Sequence, residues 1–337
     1  MPGLYETGMT LKLAEVGDTI FNVQSDKVPF SKMLKRGPKP KQVLSQWPVE
    51  AYEDRPFEGA MDGSDMDSFE HTNRDTIEAY AMWMRTKGWM VSRMANLTRT
   101  AGVPGKEEAK QAMEDGKILA RMMERQMLSN DDMRAETVAL PYRSRGAFSW
   151  MSTSAQSVKP VPAAFRPASG CVHTGTLAAL TPAVFEAMIA AAAEQRHGAV
   201  DLNGQVGLKL KTTMSGWAQK HIEDINTAQA LTRYNLDAED KKLIRVVNFF
   251  EFDGGSVKTF PNYNLLHTEA TGLSSDYTAR SGIFIDLNMW QLCYWDPPAS
   301  RLEPPKSGGP RGFHDCLYLL KCLNPAGQCM VYASLDS

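Results

Sequence analysis

The feature that most constrains the fold is one long amphipathic segment at residues 106–130. Pro104 and Gly105 precede it, and Glu107 and Glu108 lie where acidic side chains favour the positive end of a helix dipole. Its apolar residues recur mostly every three or four positions, as one buried helix face requires: Ala109, Ala112, Met113, Leu119, Met123 and Met127. At about 1.5 Å per residue this helix extends about 40 Å. We expect it to be the spine of a domain.

A strongly acidic stretch lies upstream, between β-forming segments at residues 43–47 and 76–80. Residues 49–75 hold nine acidic side chains against two arginines, a net charge of −7. Such a stretch cannot bury itself, so a solvated loop is the simplest interpretation. A calcium site is a second, but residues 62–67 lack the alternating oxygen ligands and the placed glycine of an EF-hand loop. A third is that the loop projects and meets basic residues of a neighbouring subunit.

Charge balance and hydropathy exclude several functional classes. The 337 residues carry 37 Lys and Arg against 39 Asp and Glu, and a net charge of −2 gives no electrostatic reason to coat nucleic acid or an anionic membrane. The longest strongly apolar run, at 187–193, has seven residues, whereas a membrane-spanning helix needs about 20. The first residues lack the basic cluster and apolar stretch of a secretory signal, so we expect the protein to stay in a cytoplasm.

The five cysteines are an odd number in a chain without an export signal, which indicates free buried thiols rather than a disulfide framework. His314, Cys316, Cys322 and Cys329 could in principle supply four zinc ligands. Their spacing is longer than the roughly two to four residues of a zinc knuckle, and residues 317–320 have the pattern of a buried strand. We therefore predict no metal site.

Sequence motifs of catalysis are absent: the chain has no G-x-S-x-G elbow, P-loop, G-x-G-x-x-G or H-E-x-x-H. Cys171 and His173 are close in sequence, but they alone do not define a nucleophile with its base. We expect no enzymatic activity and no cofactor. A cytosolic thiol-dependent hydrolase centred on this pair is kept as an alternative.

The second half of the chain alternates helical and β-forming segments, with no βαβ periodicity and no internal repeat. Thr181 and Pro182 are an N-cap and first-turn pair for a helix that ends before Gly198. The further predicted segments are a strand at 206–210, a helix at 214–225, a hairpin at 243–252 and 256–260, a β segment at 282–294 and a final hairpin at 316–323 and 328–333. This pattern predicts a mixed α+β fold.

Several short motifs occur in a fixed order along nearly the whole chain. They are residues 16–23 with 28–31, Gln46-Trp47-Pro48, residues 57–60, the long helix after Ala101-Gly102, the strand–turn–strand at 250–258 and the β segment at 282–297. This ordered set resembles the major capsid proteins of tailed bacteriophages, and is similar to the SU-ten-type family with the HK-ninety-seven fold. The Pro- and Gly-rich residues 297–311 and the cysteines near the C-terminus depart from the family pattern.

The resemblance implies five parts. These are an N-terminal arm at 1–41, an extended E-loop at 42–80, a peripheral domain at 81–169 with the spine helix at 106–130, an axial domain at 170–311, and C-terminal strands at 312–337 that return to the peripheral domain. In this fold the E-loop lies across the adjacent subunit, which gives the acidic stretch a reason to project.

The implied function is to build a capsid. Subunits would join head to tail into pentamers and hexamers of an icosahedral shell, assembled in the host cytoplasm and enclosing double-stranded DNA. The implied partners are further copies of the chain, a portal protein, separate scaffolding and decoration or cement proteins, and DNA contacted weakly without sequence specificity. An encapsulin-like nanocompartment, which shares the fold, is the alternative.

Candidate interface residues follow from charge and apolarity. Trp47 and Phe57 are expected to anchor an apolar E-loop contact. An acidic set on the loop is expected to pair with a basic set on a neighbour: Glu58, Asp62, Asp65, Asp67 and Glu70 with Lys32, Lys35 and Arg36. Residues 48–75 contain no lysine, so the lysine-dependent cross-link of one branch of this fold is not expected from this loop.

Overall fold

The computed structural model describes residues 28–51, 59, 61–63, 65, 74–97, 106–154, 156–225, 247–266, 279–306 and 308–332. The helices in these ranges are α1 (Pro29–Met33), α2 (Arg93–Leu97), α3 (Glu107–Met127), α4 (Ala147–Trp150), α5 (Pro182–Arg196) and α6 (Leu208–Ile225). The strands are β1 (Lys35–Arg36), β2 (Leu44–Val49), β3 (Asp75–Tyr80), β4 (Met82–Arg85), β5 (Trp89–Met90), β6 (Val172–His173), β7 (Val200–Val206), β8 (Phe249–Phe252), β9 (Gly255–Pro261), β10 (Gly282–Ile285), β11 (Trp290–Lys306), β12 (Gly309–Cys322) and β13 (Cys329–Val331).

The strands of the described residues form three sheets. A five-stranded sheet has the order β1-β11-β12-β4, with β5 also paired to β12. A six-stranded sheet has the order β6-β13-β10-β7-β9-β8, and β2 pairs with β3 in an antiparallel hairpin. The mixture of helices and separate sheets confirms the predicted α+β class.

Helix α3 confirms the predicted long helix and begins and ends close to the expected residues. Glu107 and Glu108 lie in its first turn, and Leu119, Met123 and Met127 are buried. Two acidic side chains are also buried among them, Asp115 and Glu124. The helix therefore carries buried polar contacts in addition to its apolar face.

The core of the six-stranded sheet is built around Phe185 of α5. The N-cap is the predicted one, since the Thr181 hydroxyl accepts a hydrogen bond from the backbone N–H of Val184 at 3.3 Å. The fully buried Phe185 ring lies 5.0 Å from Phe284 and 5.6 Å from Trp217, centroid to centroid. These contacts hold α5 and α6 against the sheet.

One predicted strand in the second half is wrong. The strand expected at 206–210 is instead the end of β7 and the start of α6, which begins at Leu208. The hydroxyls of Thr212 and Thr213 donate to the carbonyls of Leu208 and Lys209 inside that helix, at 2.9 and 3.1 Å. Helix α6 also lies in sequence between β7 and β9, which pair in parallel, a crossover that the sequence pattern did not predict.

The predicted final hairpin is also wrong. Strand β12 belongs to the five-stranded sheet, whereas β13 pairs with β10 and β6 in the six-stranded sheet. Gly327 precedes β13 with a φ of +66°, and its N–H donates to the Gln195 side chain at 2.9 Å. The contact with α5 directs the chain into the second sheet.

The chain divides into two compact units. Among the described residues, one unit comprises 85–97, 106–119, 299–306 and 308–315, and the other comprises the rest. In the smaller unit Asp115 accepts hydrogen bonds from the Thr86 hydroxyl at 2.5 Å and from the His314 backbone N–H at 3.1 Å. Its Oδ2 also lies 2.9 Å from Nδ1 of His314. This carboxylate fastens α3 to β12 within that unit.

Candidate functional site

The β2–β3 hairpin carries the acidic stretch between its two strands. Its register runs over six residue pairs, from Leu44 with Tyr80 to Val49 with Asp75, and confirms two strands separated by a polar stretch. Ile77 and Ala79 are buried, and Glu78 on the opposite face accepts a hydrogen bond from Gln46 at 2.7 Å. One face of the hairpin therefore packs on its own subunit.

Trp47 is the anchor of this hairpin within its own subunit. Its side chain is only 6% exposed, and its Nε1–H donates to the Leu323 carbonyl at 3.2 Å. The ring lies 6.0 Å from the Trp150 ring, and Lys321 Nζ lies 4.7 Å above it. Trp47 is therefore largely covered by contacts within its own subunit, and its role as an interface anchor stays a prediction.

The acidic candidates are only partly within the described residues. Asp62 and Asp65 are exposed. At the base of the loop, exposed Arg74 pairs with Glu50 at 3.1 Å. The remaining candidates lie outside the described residues: Phe57, Glu58, Asp67 and Glu70.

The three basic candidates are all exposed and lie close together in sequence on and after α1. Lys32 is in the last turn of α1, and the Lys35 ammonium donates to the Asn288 side chain. The Arg36 guanidinium lies 4.6 Å above the Tyr294 ring. Burial raises the pKa of Tyr294, and the Arg36 cation opposes this effect. Lys35 and Arg36 are therefore partly engaged by their own subunit.

A second basic group surrounds a cavity of about 370 Å³. Its cationic lining consists of Lys39, Lys41 and Lys321, and its other walls include Gln42, Ser45, Gln46, Cys293 and Leu319. Lys39 and Lys41 belong to the basic patch visible in the sequence, whereas Lys321 comes from β12. No local sequence pattern links Lys321 to Lys39 and Lys41, because only the tertiary fold brings them together.

Glu124 fixes the start of helix α1. This fully buried carboxylate of α3 accepts hydrogen bonds from the backbone N–H groups of Phe30 and Ser31, at 2.7 and 2.8 Å. It also accepts one from the Asn262 amide at 3.0 Å. Burial raises the pKa of Glu124, and these hydrogen bonds oppose the increase. The N–H groups of the first turn of α1 thus find their acceptor on another helix.

The residues considered for a thiol hydrolase or a metal site make other contacts in the structure. His173 Nε2 lies 3.2 Å from the Thr176 carbonyl oxygen, and the thiol of Cys171 is buried beside that of Cys329. The hydrogen bond between the Cys171 and Cys329 thiols, together with burial, raises the pKa of Cys329. No three His, Cys, Asp or Glu side chains of the described residues lie close enough together to share a metal ion.

Hydropathy along the helices gives one further result. Within the described part of the chain, every helix is too short or too polar to cross a lipid bilayer.

Comparison with known proteins gives a consistent result. The model of the family "SU10 major capsid protein" matches residues 4–314. No curated protein matches the sequence. The capsid of cyanophage A-1(L) is similar in structure, with a TM-score of 0.67 and 11% identity over 97% of this chain and 98% of that chain. The capsid of a native GTA particle gives a TM-score of 0.60 and 10% identity, over 99% of this chain and 100% of that chain.

The family match extends over most of the chain, and the structural likeness covers nearly all of it. Neither result favours the encapsulin-like compartment or the thiol hydrolase. The fold is the HK-ninety-seven-like capsid fold. The chain belongs to the SU10 major capsid protein family, and it is a major capsid protein of the tailed-phage type.

Proposed function

We propose that copies of this chain close into pentamers and hexamers that tile an icosahedral shell around double-stranded DNA. The observation that supports this most directly is the β2–β3 hairpin, whose base is held by Trp47 in its own subunit and whose loop carries a charge of −7. A hairpin fixed at one end and too acidic to bury itself is suited to a heterologous, head-to-tail contact. Each stable contact should bury about 1,600 Å² in total.

The five-part division fits this proposal. We assign residues 1–41 to the arm, 42–80 to the E-loop, 81–169 to the peripheral domain with α3 as its spine, 170–311 to the axial domain and 312–337 to the C-terminal strands. Glu124 supports the arm assignment, because it ties α1 to the spine helix. Within the last part, β13 pairs in the six-stranded sheet, so only β12 contributes to the five-stranded one.

The acidic loop is proposed to bind basic residues of the neighbouring subunit. Lys32 is exposed, and Lys39, Lys41 and Lys321 line a cavity whose positive charge is complementary to the loop. Lys35 and Arg36 are also exposed, so their positive charges would add to this attraction for the acidic loop. Phe57 would supply the apolar part of the contact, while Trp47 holds the hairpin base.

The charge balance also suits a container for DNA. A net charge of −2 avoids the counterion release that would hold the genome firmly on the inner wall. We propose that the shell forms in the host cytoplasm around separate scaffolding protein and joins a portal, with decoration proteins added outside. Its role is structural rather than catalytic.

The test is assembly, followed by density-gradient sedimentation and electron microscopy. The wild-type chain should give closed shells, and deletion of residues 57–70 should abolish them while leaving a folded subunit. Normal shells from the deletion variant would refute the E-loop role, and a wild-type chain that yields only small oligomers would refute the shell itself.

Charge reversal tests the basic cavity separately. Lys39→Glu combined with Lys41→Glu should reduce shell yield, and adding Asp62→Lys with Asp65→Lys should restore part of it. Lys258→Glu, at an exposed lysine of β9, is the control for added negative charge. Equal yields from all these variants would show that the loop binds elsewhere.

A further inference from the structure

A short turn after α3 presents apolar side chains to solvent. Residues 135–141 are all exposed, and between Arg134 and Arg143 the chain reverses direction. Val138 at the tip is fully exposed, and Leu140 beside it is 47% exposed. We call residues 134–143 the Val138 turn. Val138 and Leu140 lie two residues apart, so one short turn presents both apolar side chains to solvent.

The backbone of the Val138 turn is internally hydrogen-bonded. Thr137 N–H donates to the Leu140 carbonyl at 2.8 Å, and Leu140 N–H donates back to Thr137 at 3.3 Å. Arg134 and Arg143 exchange two further bonds, of 3.1 and 3.0 Å. A partner that binds such a turn has little backbone left to order, which favours association.

Charged side chains hold the turn at its base. Arg143 pairs with Asp131 at 3.3 Å, and the fully buried Arg145 pairs with Asp132 at 2.8 Å. The Arg145 guanidinium also lies 4.6 Å above the Trp150 ring. Arg145 also donates hydrogen bonds to the carbonyls of Val158 and Lys159, at 2.7 and 2.9 Å. These contacts connect the base of the turn to neighbouring parts of its own subunit.

The base of the Val138 turn lies beside the base of the β2–β3 hairpin. Tyr142 lies at the end of the turn and Tyr80 at the end of β3, and their ring centroids are 5.6 Å apart. A subunit that contacts the base of the hairpin would therefore meet the turn beside it. This continuity is what selects a second copy of the chain as the partner, rather than an unrelated protein.

We propose that the Val138 turn is a second subunit contact, in which Val138 and Leu140 insert into the adjacent copy of this chain. The proposal rests on the proposed shell function, and it adds an apolar contact to the charged one made by the acidic loop. Removing exposed apolar surface from water favours association in proportion to the area buried, whereas exposed charge pairs contribute mainly orientation and rate.

The first test places a charge at the tip. Val138→Asp should lose shell assembly while its melting temperature and circular dichroism match those of the wild type, because the side chain has no packing of its own to lose. Val138→Thr, which has nearly the same shape, should retain assembly. Shells formed by Val138→Asp at the wild-type yield would overturn the proposal.

The second test measures burial directly. In Val138→Cys the new thiol should react with a maleimide reagent in unassembled subunits, selectively because all five native cysteines are buried. In shells this labelling should be lost. Labelling of intact shells as fast as of free subunits would overturn the proposal while leaving the shell function intact, whereas failure of the wild-type chain to form shells would refute the proposed function instead.

Discussion

Glu124 makes the attachment of helix α1 to α3 sensitive to pH. Burial raises its pKa above the ordinary value of 4.5, despite hydrogen bonds from Phe30, Ser31 and Asn262. Between the unfolded and folded pKa values the native protein binds more protons than the unfolded chain, so the free energy of unfolding falls as pH rises through that window. The contribution of protonated Glu124 to the free energy of unfolding is complete below pH 4.5, and it is lost above the pKa of Glu124 in the folded protein.

Glu124→Gln should therefore flatten the dependence of stability on pH. The glutamine side chain cannot ionise, so it removes this pH dependence. It also has only one acceptor oxygen for the N–H groups of Phe30 and Ser31, so at acidic pH the free energy of unfolding of the variant should be about 1 kcal/mol lower than that of the wild type. Thermal unfolding of unassembled subunits across this range measures both effects. Glu186→Gln, at an exposed glutamate of α5, should keep the wild-type profile. A Glu124→Gln profile as steep as that of the wild type would contradict this account.

Buried charges are also the residues that the sequence could not reveal. Glu124 and Asp115 occupy positions in α3 that read as ordinary polar positions of an amphipathic helix. Their partners, such as Asn262 and His314, are 138 and 199 residues away along the chain. Lys321 was missed for the same reason, because the other two lysines of its cavity, Lys39 and Lys41, lie far upstream in the sequence. Only the tertiary fold brings such partners together.

Elements whose signals are local were predicted well. Helix α5 has Thr181 and Pro182 at its start, and the β2–β3 hairpin has two β-forming segments around a stretch that cannot be buried. The errors occurred where tertiary contacts decide. Gly207 separates a strand from a helix in a segment whose apolar pattern fits either, and β13 finds its partners in a sheet built from residues far upstream.

The hairpin base gives a prediction at this scale. Trp47→Ala removes the hydrogen bond to Leu323 and the contact with Trp150, and truncation of a buried aromatic side chain costs about 3–5 kcal/mol. We expect slower or absent shell assembly and increased proteolysis between residues 44 and 80, with the six-stranded sheet retained. Trp47→Phe keeps an aromatic ring but has no N–H donor, so it should be intermediate. If Trp47→Ala is cleaved between residues 44 and 80 at the same rate as the wild type, other contacts hold the hairpin.

For the whole molecule, the near-zero net charge conceals a separation of charge along the chain. The acidic stretch at 49–75 carries −7, while Lys39, Lys41 and Lys321 line one cavity. Complementary patches of this kind orient subunits during encounter, and salt screens them beyond about 8–10 Å. The apolar contact proposed for the Val138 turn would be much less sensitive to salt. In the proposed assembly, orientation by charge and retention by apolar burial would therefore be separate contributions.

Such a shell is expected to be held without covalent bonds between subunits. Residues 48–75 contain no lysine that could act as a nucleophile from the loop, and all five cysteines are buried within their own subunit. Mature shells boiled in detergent should therefore give a single band near 37.4 kDa, with and without reductant. Shells treated with glutaraldehyde should give a ladder of oligomers and establish that the gel resolves them. A ladder from untreated shells would mean that another part of the chain supplies a covalent link, and its sensitivity to reductant would distinguish a disulfide from an isopeptide bond.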